Sequence, residues 1–255
     1  MTRTTRHAGH VLIVGAGIGG LSSAIDLAAS GLQVTLLERC GTPGGKMREH
    51  AVGGLTVDAG PTVFTMRWVF EELFAAAGLR LGEELSLSKA EVLARHSWLD
   101  GSRLDLFSDL ERSVEAIRHF AGAGEAAAYR RFARASQQMF ETLDHSFMRC
   151  ERPSPVGLTS ALGLGGLSRL YATKPFSTMW QELGKTFRDP RLQQLFGRYA
   201  TYCGSSPFEA PATLMLIAHA ERAGVWFVDG GMHQLAQTLA RVAGQLGTDI
   251  RYHAD

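Results

Sequence analysis

Apolar and polar positions follow two main rhythms along the chain, and each predicts an element. Residues 11–14 (Val-Leu-Ile-Val) are continuously apolar, the pattern of a short strand buried on both faces. Ile18, Leu21, Ala24, Ile25 and Ala28 then recur at helical spacing until Gly31, and residues 33–38 read as a second strand ending in an acid. Residues 46–52 and 55–59 predict two strands around a Gly53-Gly54 turn. Residues 67–77 predict an amphipathic helix with Val69, Phe70, Leu73, Phe74 and Ala77 on one face, closed by Gly78.

The middle of the chain is largely helical. Residues 91–98 and 103–107 predict a hairpin about Asp100-Gly101. Ser108-Asp-Leu-Glu111 has the form of a capping box opening the next helix. The longest helical pattern covers 125–147. Its Tyr129, Phe132, Ser136, Met139, Leu143 and Phe147 share one side and read as core rather than as ligand contacts. Helices are expected over 177–187, 191–202 and 210–222. A strand at 225–228, a helix over 231–244 and a strand at 248–252 complete the reading, with no internal repeat.

Composition narrows the function classes. Of 255 residues, 45% are hydrophobic and 20% charged, a globular balance that argues against disorder. A net charge of +1 excludes the strongly basic footprint of a nucleic-acid binder. Cys40, Cys150 and Cys203 lie far apart with no CxxC. That excludes a disulfide framework and a thiolate zinc site, leaves no metal site expected, and fits a reducing compartment. Arg3 and Arg6 precede an apolar run over 11–29, the outline of a secretory signal. Gly15, Gly17, Gly19, Gly20 and Asp26 interrupt that run, which also spoils a transmembrane reading.

The same glycines make a sharper pattern. Gly15, Gly17 and Gly20 occupy the three positions of GxGxxG between the first strand and the first helix. In a dinucleotide site the first glycine permits the tight turn, the second lets the backbone approach a pyrophosphate, and the third lets helix and strand pack closely. The helix N-terminus offers N–H groups and the positive end of its dipole to the phosphates. Glu38, ending the second strand, is placed to accept from a ribose and disfavours a 2′-phosphate there. The competing reading is a chance glycine-rich turn. Strand, helix, second strand and terminal acid in register favour dinucleotide binding.

The next residues bear on which dinucleotide. Pro43-Gly44-Gly45-Lys46-Met47 is followed by Gly53-Gly54 and by Asp58-Ala59-Gly60-Pro61-Thr62, where a simple nicotinamide dehydrogenase proceeds to a helix. The glycine pair lets a second backbone segment lie against the cofactor, and Lys46 adds a cation near the pyrophosphate. The alternative is an ordinary hairpin with a surface lysine.

Together the GxGxxG unit, Glu38, the PGGK turn and the DAGPT segment resemble the FAD-dependent carotenoid desaturases, within the wider amine-oxidase-like flavoenzymes. Gly60-Pro-Thr-Val-Phe-Thr-Met-Arg67 with the helix after it is most similar to the hydroxyneurosporene type, also called 1-hydroxycarotenoid 3,4-desaturase or methoxyneurosporene dehydrogenase, of purple photosynthetic bacteria. Tyr202-Cys-Gly-Ser-Ser-Pro-Phe208 and Gly224-Val-Trp-Phe-Val-Asp-Gly-Gly-Met-His233 match near the other end. Lys46 departs from the arginine common in that family, replacing a planar two-pronged contact by a point charge.

The resemblance implies an α/β fold. A Rossmann-like FAD-binding domain, discontinuous over 1–66 and 223–255, carries an inserted mixed α+β substrate region over 67–222. It implies FAD held by Gly15, Gly17, Gly20, Glu38, Arg39, Gly44, Gly45, Lys46, Gly60, Pro61 and Thr62. Family members are about twice as long and end in a further glycine-rich segment, so these residues are expected to be an N-terminal half. The implied reaction is 3,4-desaturation of a 1-hydroxy or 1-methoxy carotenoid: hydride passes to the flavin, the neighbouring proton is lost, and electrons then go to an acceptor that the sequence does not identify.

Residues 153–168 carry no charge and are followed by Arg169, Tyr171, Lys174 and Phe176. They read equally as a segment dipping into a bilayer surface and as a buried lid. The implied location is cytoplasmic, peripheral to the inner or photosynthetic membrane.

No catalytic base stands out. His96, His145, His219 and His233 read as structural histidines, and Glu71-Glu72 and the Arg130-Arg131-Arg134 group as solvated helix faces. There is no nucleophile elbow, HExxH motif or Walker loop. Rival readings keep the flavin but change the chemistry to a phytoene desaturase, an isomerase, a ketolase or an amine oxidase, or make the chain a non-catalytic FAD-binding fragment.

Overall fold

The computed structural model describes residues 9–144, 148–149 and 171–255. The uncharged segment 153–168, His145, Phe147 and Cys150 lie outside the described residues. In chain order the elements begin β1 (His10–Val14), α1 (Ile18–Ala29), β2 (Gln33–Leu37), β3 (Glu49–Val52), β4 (Leu55–Asp58), β5 (Phe64–Thr65), α2 (Arg67–Ala76), α3 (Leu81–Glu84) and β6 (Leu87–Lys89). They continue with β7 (Val92–Ser97), β8 (Arg103–Phe107), α4 (Leu110–Ala121), α5 (Ala123–Leu143), α6 (Met179–Thr186) and α7 (Pro190–Gly197). Last come α8 (Ile217–Ala223), β9 (Val225–Val228), α9 (His233–Gln245) and β10 (Asp249–Arg251). The chain forms two compact units, Met1–Ala90 with Val225–Asp255, and Glu91–Gly224.

The first unit is built on a parallel sheet in the order β1-β2-β10, with Val14 opposite Leu37 and Ile250 opposite Leu36. Helices α1 and α9 pack together, and Leu21, Ala24, Ile25, Val34, Leu36, Leu235, Leu239 and Val242 are sealed from solvent in one core. Burial on this scale contributes about 1.5–3 kcal/mol for each large side chain. One expectation fails here. β1 is not buried on both faces: Leu12 is 59% and Val14 82% exposed. The described elements cover one face of β1, so Val11 and Ile13 are part-buried while the alternate positions face outward.

A second sheet, β5-β9-β6, joins residues far apart in sequence, pairing Phe64 with Trp226 and Leu87 with Val228. β5 and β6 are two and three residues long, too short to show an alternating pattern. α2 belongs to this unit. Phe74 is fully buried in its core, and Phe70 packs on Phe64 with ring centroids 5.0 Å apart. The first joint between units therefore falls after Ala90 rather than after residue 66. Met66 takes a left-handed conformation (φ 51°) to turn β5 into α2, and Arg67 pairs with Glu71 at 2.7 Å. Glu71 is thus an ion-pair partner rather than only a solvated charge.

In the second unit, β7 and β8 form the expected hairpin, with an irregularity between Val92 and Ala94. The cap of α4 is Asp109, which accepts from the Arg112 N–H at 2.8 Å, so the helix starts one residue later than the Ser108 box implied. Glu111 instead pairs with Arg130 on α5, on the exposed surface. The buried side of α5 is the predicted one, with Tyr129 stacked on Phe196 and Phe132 packed against the same ring at a tilt. The helix expected over 191–202 tightens to a 3₁₀ turn at Arg198–Cys203, and 210–222 opens with another at Ala212–Leu216.

Glu221 is the polar centre of this unit. It is 5% exposed and accepts from Arg198 through both carboxylate oxygens (2.9 and 2.5 Å), from Tyr199 at 3.1 Å and from Tyr202. Breaking a buried pair leaves an uncompensated charge. Glu221→Ala is therefore expected to destabilise the protein by about 3 kcal/mol in urea unfolding. Burial, then the Glu221 carboxylate, pushes the Tyr202 hydroxyl from 10.0 up to about 12. A raised folded-state pKa contributes stability that is complete below the unfolded value and is lost as pH rises through the folded one. Between pH about 10 and about 12 the urea midpoint is expected to fall more for the native protein than for Tyr202→Phe.

Candidate functional site

The site is built from two backbone turns and one carboxylate, all in the first unit. β1 runs into Gly15, whose φ of +98° lies in the left-handed region and whose N–H donates to the Leu37 carbonyl at 2.7 Å. Gly20 must lack a side chain, because a Cβ there would stand 2.0 Å from the Gly15 carbonyl oxygen. The helix thus sits directly on the turn, the role expected of the third glycine. Gly17 opens α1 in an extended conformation and no side chain caps the helix. A Cβ at Gly15, Gly17 or Gly19 would meet no atom within 4 Å, so a ligand can approach this backbone closely. The first N–H groups of a helix lack intrahelical acceptors and carry partial positive charge.

The second turn docks on the first. The Gly44 N–H donates to the Ala16 carbonyl at 2.7 Å, and Gly44 and Gly17 form an isolated parallel bridge. Gly44 (φ +117°) and Gly45 (φ +60°) both need conformations that side chains resist. A Cβ on Gly45 would lie 3.3 Å from the Gly17 Cα, and one on Gly44 would lie 2.2 Å from the Met47 carbonyl oxygen. Gly60 passes as closely, its Cβ position 1.9 Å from the Lys46 carbonyl oxygen. Pro61 and Thr62 follow it, exposed, ahead of β5. Arg39 and Lys46 are exposed, and neither side chain makes a hydrogen bond or ion pair among the described residues.

Glu38 is buried at the end of β2. One carboxylate oxygen accepts from the Ala16 N–H at 2.7 Å, the other from the Cys40 N–H at 2.8 Å. Burial opposes its ionisation, but the N–H groups of Cys40 and Ala16, helped by the charge of Arg39, outweigh burial and hold the carboxyl below its ordinary 4.5. Each carboxylate oxygen has a second lone pair, so Glu38 can bind its backbone partners and still accept from ligand hydroxyls.

The structure also brings in residues that were not singled out as site residues. Asp58 accepts from the Met232 N–H at 2.9 and 3.1 Å, capping the entry to α9, and a Cβ on Gly231 would be 3.0 Å from its carboxylate. The His233 Nε2 lies 3.0 Å from the Pro43 carbonyl oxygen. Asp58 and Met232 are 174 positions apart, so only the quoted DAGPT and GG-Met-His segments hinted at them. His96 and His219 lie in the second unit. Burial, then Arg198, lowers the pKa of His96, and burial, then Arg222, lowers that of His219. Among the described residues no group of three His, Cys, Asp or Glu side chains is placed to hold a metal.

Comparison with known proteins agrees with this geometry. The family model described as flavin containing amine oxidoreductase matches residues 18–255. A hydroxyneurosporene desaturase of Rubrivivax gelatinosus is 53% identical over 95% of this chain and 46% of its own length. One of Cereibacter sphaeroides is 49% identical over 96% of this chain and 49% of its own length. A phytoene dehydrogenase of Streptomyces griseus is 36% identical, over 95% and 47%. The chain thus spans about half the length of the curated relatives it matches. Among solved structures, a triple mutant of putrescine oxidase superposes with a TM-score of 0.59 at 17% identity, covering 97% of this chain and 51% of that one. Cyclohexylamine oxidase from Brevibacterium oxydans gives 0.53 at 17%, over 95% and 51%. These structures show the fold, and the family match covers most of the chain: it belongs to the flavin containing amine oxidoreductases.

Proposed function

We propose that this chain binds FAD in its first unit and is part of a flavin-dependent oxidoreductase that desaturates a carotenoid of the hydroxyneurosporene kind, at the 3,4 position of a 1-hydroxy or 1-methoxy polyene. The observation that carries the cofactor reading is the seating of the Gly44-Gly45 turn on Gly17, beside the uncapped start of α1. The substrate class is supported by the names of relatives 47–53% identical to this chain.

The residues present suit a dinucleotide. The α1 N-terminus and the two glycine turns take the diphosphate, Gly17 and Gly45 allowing the backbone to come close. Glu38 holds the ribose hydroxyls, and its retained negative charge disfavours a 2′-phosphate. Arg39 and Lys46 add positive charge near the phosphates, while Gly60, Pro61 and Thr62 line the approach from the second turn. FAD, when bound, supplies a two-electron acceptor for hydride. The chain's own contribution is to fix the cofactor in one orientation and to align the polyene with it. The second unit, with its aromatic core and the 153–168 segment, is the substrate-facing part. That uncharged segment, flanked by Arg152 and Arg169, supports contact with a membrane surface, since a long polyene resides in lipid. No helix among the described residues is long and apolar enough to cross a membrane.

Titration of the purified protein with FAD is expected to quench flavin fluorescence at one site. A chain of the relatives' full length, given a 1-hydroxy carotenoid, is expected to yield the product with one more double bond. An oxygenated or isomerised product, or no flavin binding, contradicts the proposal. Glu38→Gln is expected to weaken FAD binding about tenfold through loss of charge-assisted hydrogen bonds. Because the folded-state pKa of Glu38 is lowered, its stabilising effect is present above 4.5 and is lost as pH falls through the lower folded value. Glu38→Gln is therefore expected to show a shallower loss of stability on acidification, read by thermal unfolding. Gly45→Ala (φ +60°) is expected to weaken FAD binding by about tenfold or more, while Gly53→Ala, with like strain (φ +57°) at the tip of the β3–β4 hairpin, leaves it unchanged.

A further inference from the structure

We infer that His233 is a positioning residue for the cofactor: it locks the Pro43-Gly44-Gly45 turn against Gly17 and so sets the affinity for the diphosphate end of FAD. This rests on the FAD reading above.

His233 is 3% exposed at the first turn of α9. Its Nε2 stands 3.0 Å from the Pro43 carbonyl oxygen. A carbonyl can only accept, so Nε2 carries the proton and donates. Nδ1 then accepts from the Gln237 side-chain N–H at 3.4 Å, which fixes the ring from its other side; Glu49 Oε1 also lies 3.3 Å from Nδ1. The helix bearing the ring is itself anchored, because Asp58 accepts from Met232 N–H immediately before it. Ala236, one turn on, places its Cβ 3.2 Å from where a Gly44 Cβ would be. The start of α9 therefore packs under the second turn and also holds its carbonyl. From Pro43 the chain passes directly to Gly44, whose N–H reaches Ala16, and to Gly45, whose Cα side meets Gly17. Among the described residues, releasing the Pro43 carbonyl frees the end of this turn that a side chain holds.

Glutamine and asparagine separate this role from bulk packing. Glutamine places its amide N–H near the position of the histidine Nε2, whereas asparagine places it near that of Nδ1. His233→Gln is expected to bind FAD within about threefold of the native protein. His233→Asn, which leaves the Pro43 carbonyl unpaired, is expected to bind about tenfold more weakly. Amide exchange at Gly44 in the flavin-free protein is expected to quicken in His233→Asn and not in His233→Gln. If His233→Asn does not fold, His233→Met takes its place with the same expected loss. Equal affinity in the Gln and Asn variants, whether native or reduced, overturns the positioning role. So does a loss of affinity that merely follows the melting temperature of the flavin-free protein. Failure of the native protein to bind FAD overturns the cofactor reading and this inference with it, and is told apart by its appearance before any substitution.

Discussion

Two stretches of backbone meet at Gly17 and Gly45, where a side chain on Gly45 would be crowded, and the first unit is arranged around that contact. A Cβ on Gly45 would come within 3.3 Å of the Gly17 Cα, and the Gly44 N–H closes the gap with a hydrogen bond to Ala16. Both turns use positive φ values, and the first runs into the uncapped start of α1. They are held by what lies beneath them. Gly20 presses α1 onto Gly15, Ala236 and His233 of α9 support Gly44 and Pro43, and Glu38 ties the Ala16 and Cys40 amides together.

Charge follows the same layout. Glu38 remains ionised despite burial because two backbone amides point at it. It therefore sets a negative acceptor beside a helix start of positive character, the pairing that a sugar joined to a diphosphate requires. The second unit treats its buried carboxylate differently. Glu221 is saturated by Arg198, Tyr199 and Tyr202, with the consequence that it stabilises the unit and has little capacity left for a ligand.

Much of the first unit was legible from local pattern. Gly15, Gly17, Gly20, Glu38 and the Gly44-Gly45 pair sit at fixed offsets from strands and helices whose rhythms are strong, and the structure brings the two turns together. What was not legible depends on distant pairing. β5 and β6 are strands only because Val225–Val228 lies between them. Asp58 caps α9 from 174 positions away, and His233 has the local pattern of a core histidine, its partner Pro43 lying 190 positions back. The apolar run at β1 misled in the other direction. Its residues are hydrophobic on both faces, yet the described elements cover only one, leaving Leu12 and Val14 in the open. The Ser108 box failed by one residue because Asp109, an equally good cap, lies next to it.

The account stands or falls on where the cofactor lies. A crystal structure of the protein grown with FAD should show the diphosphate over Gly17, between the start of α1 and the Gly44-Gly45 turn, with the adenosine ribose hydroxyls on Glu38. Flavin bound elsewhere, or density with the ribose turned away from Glu38, would contradict it.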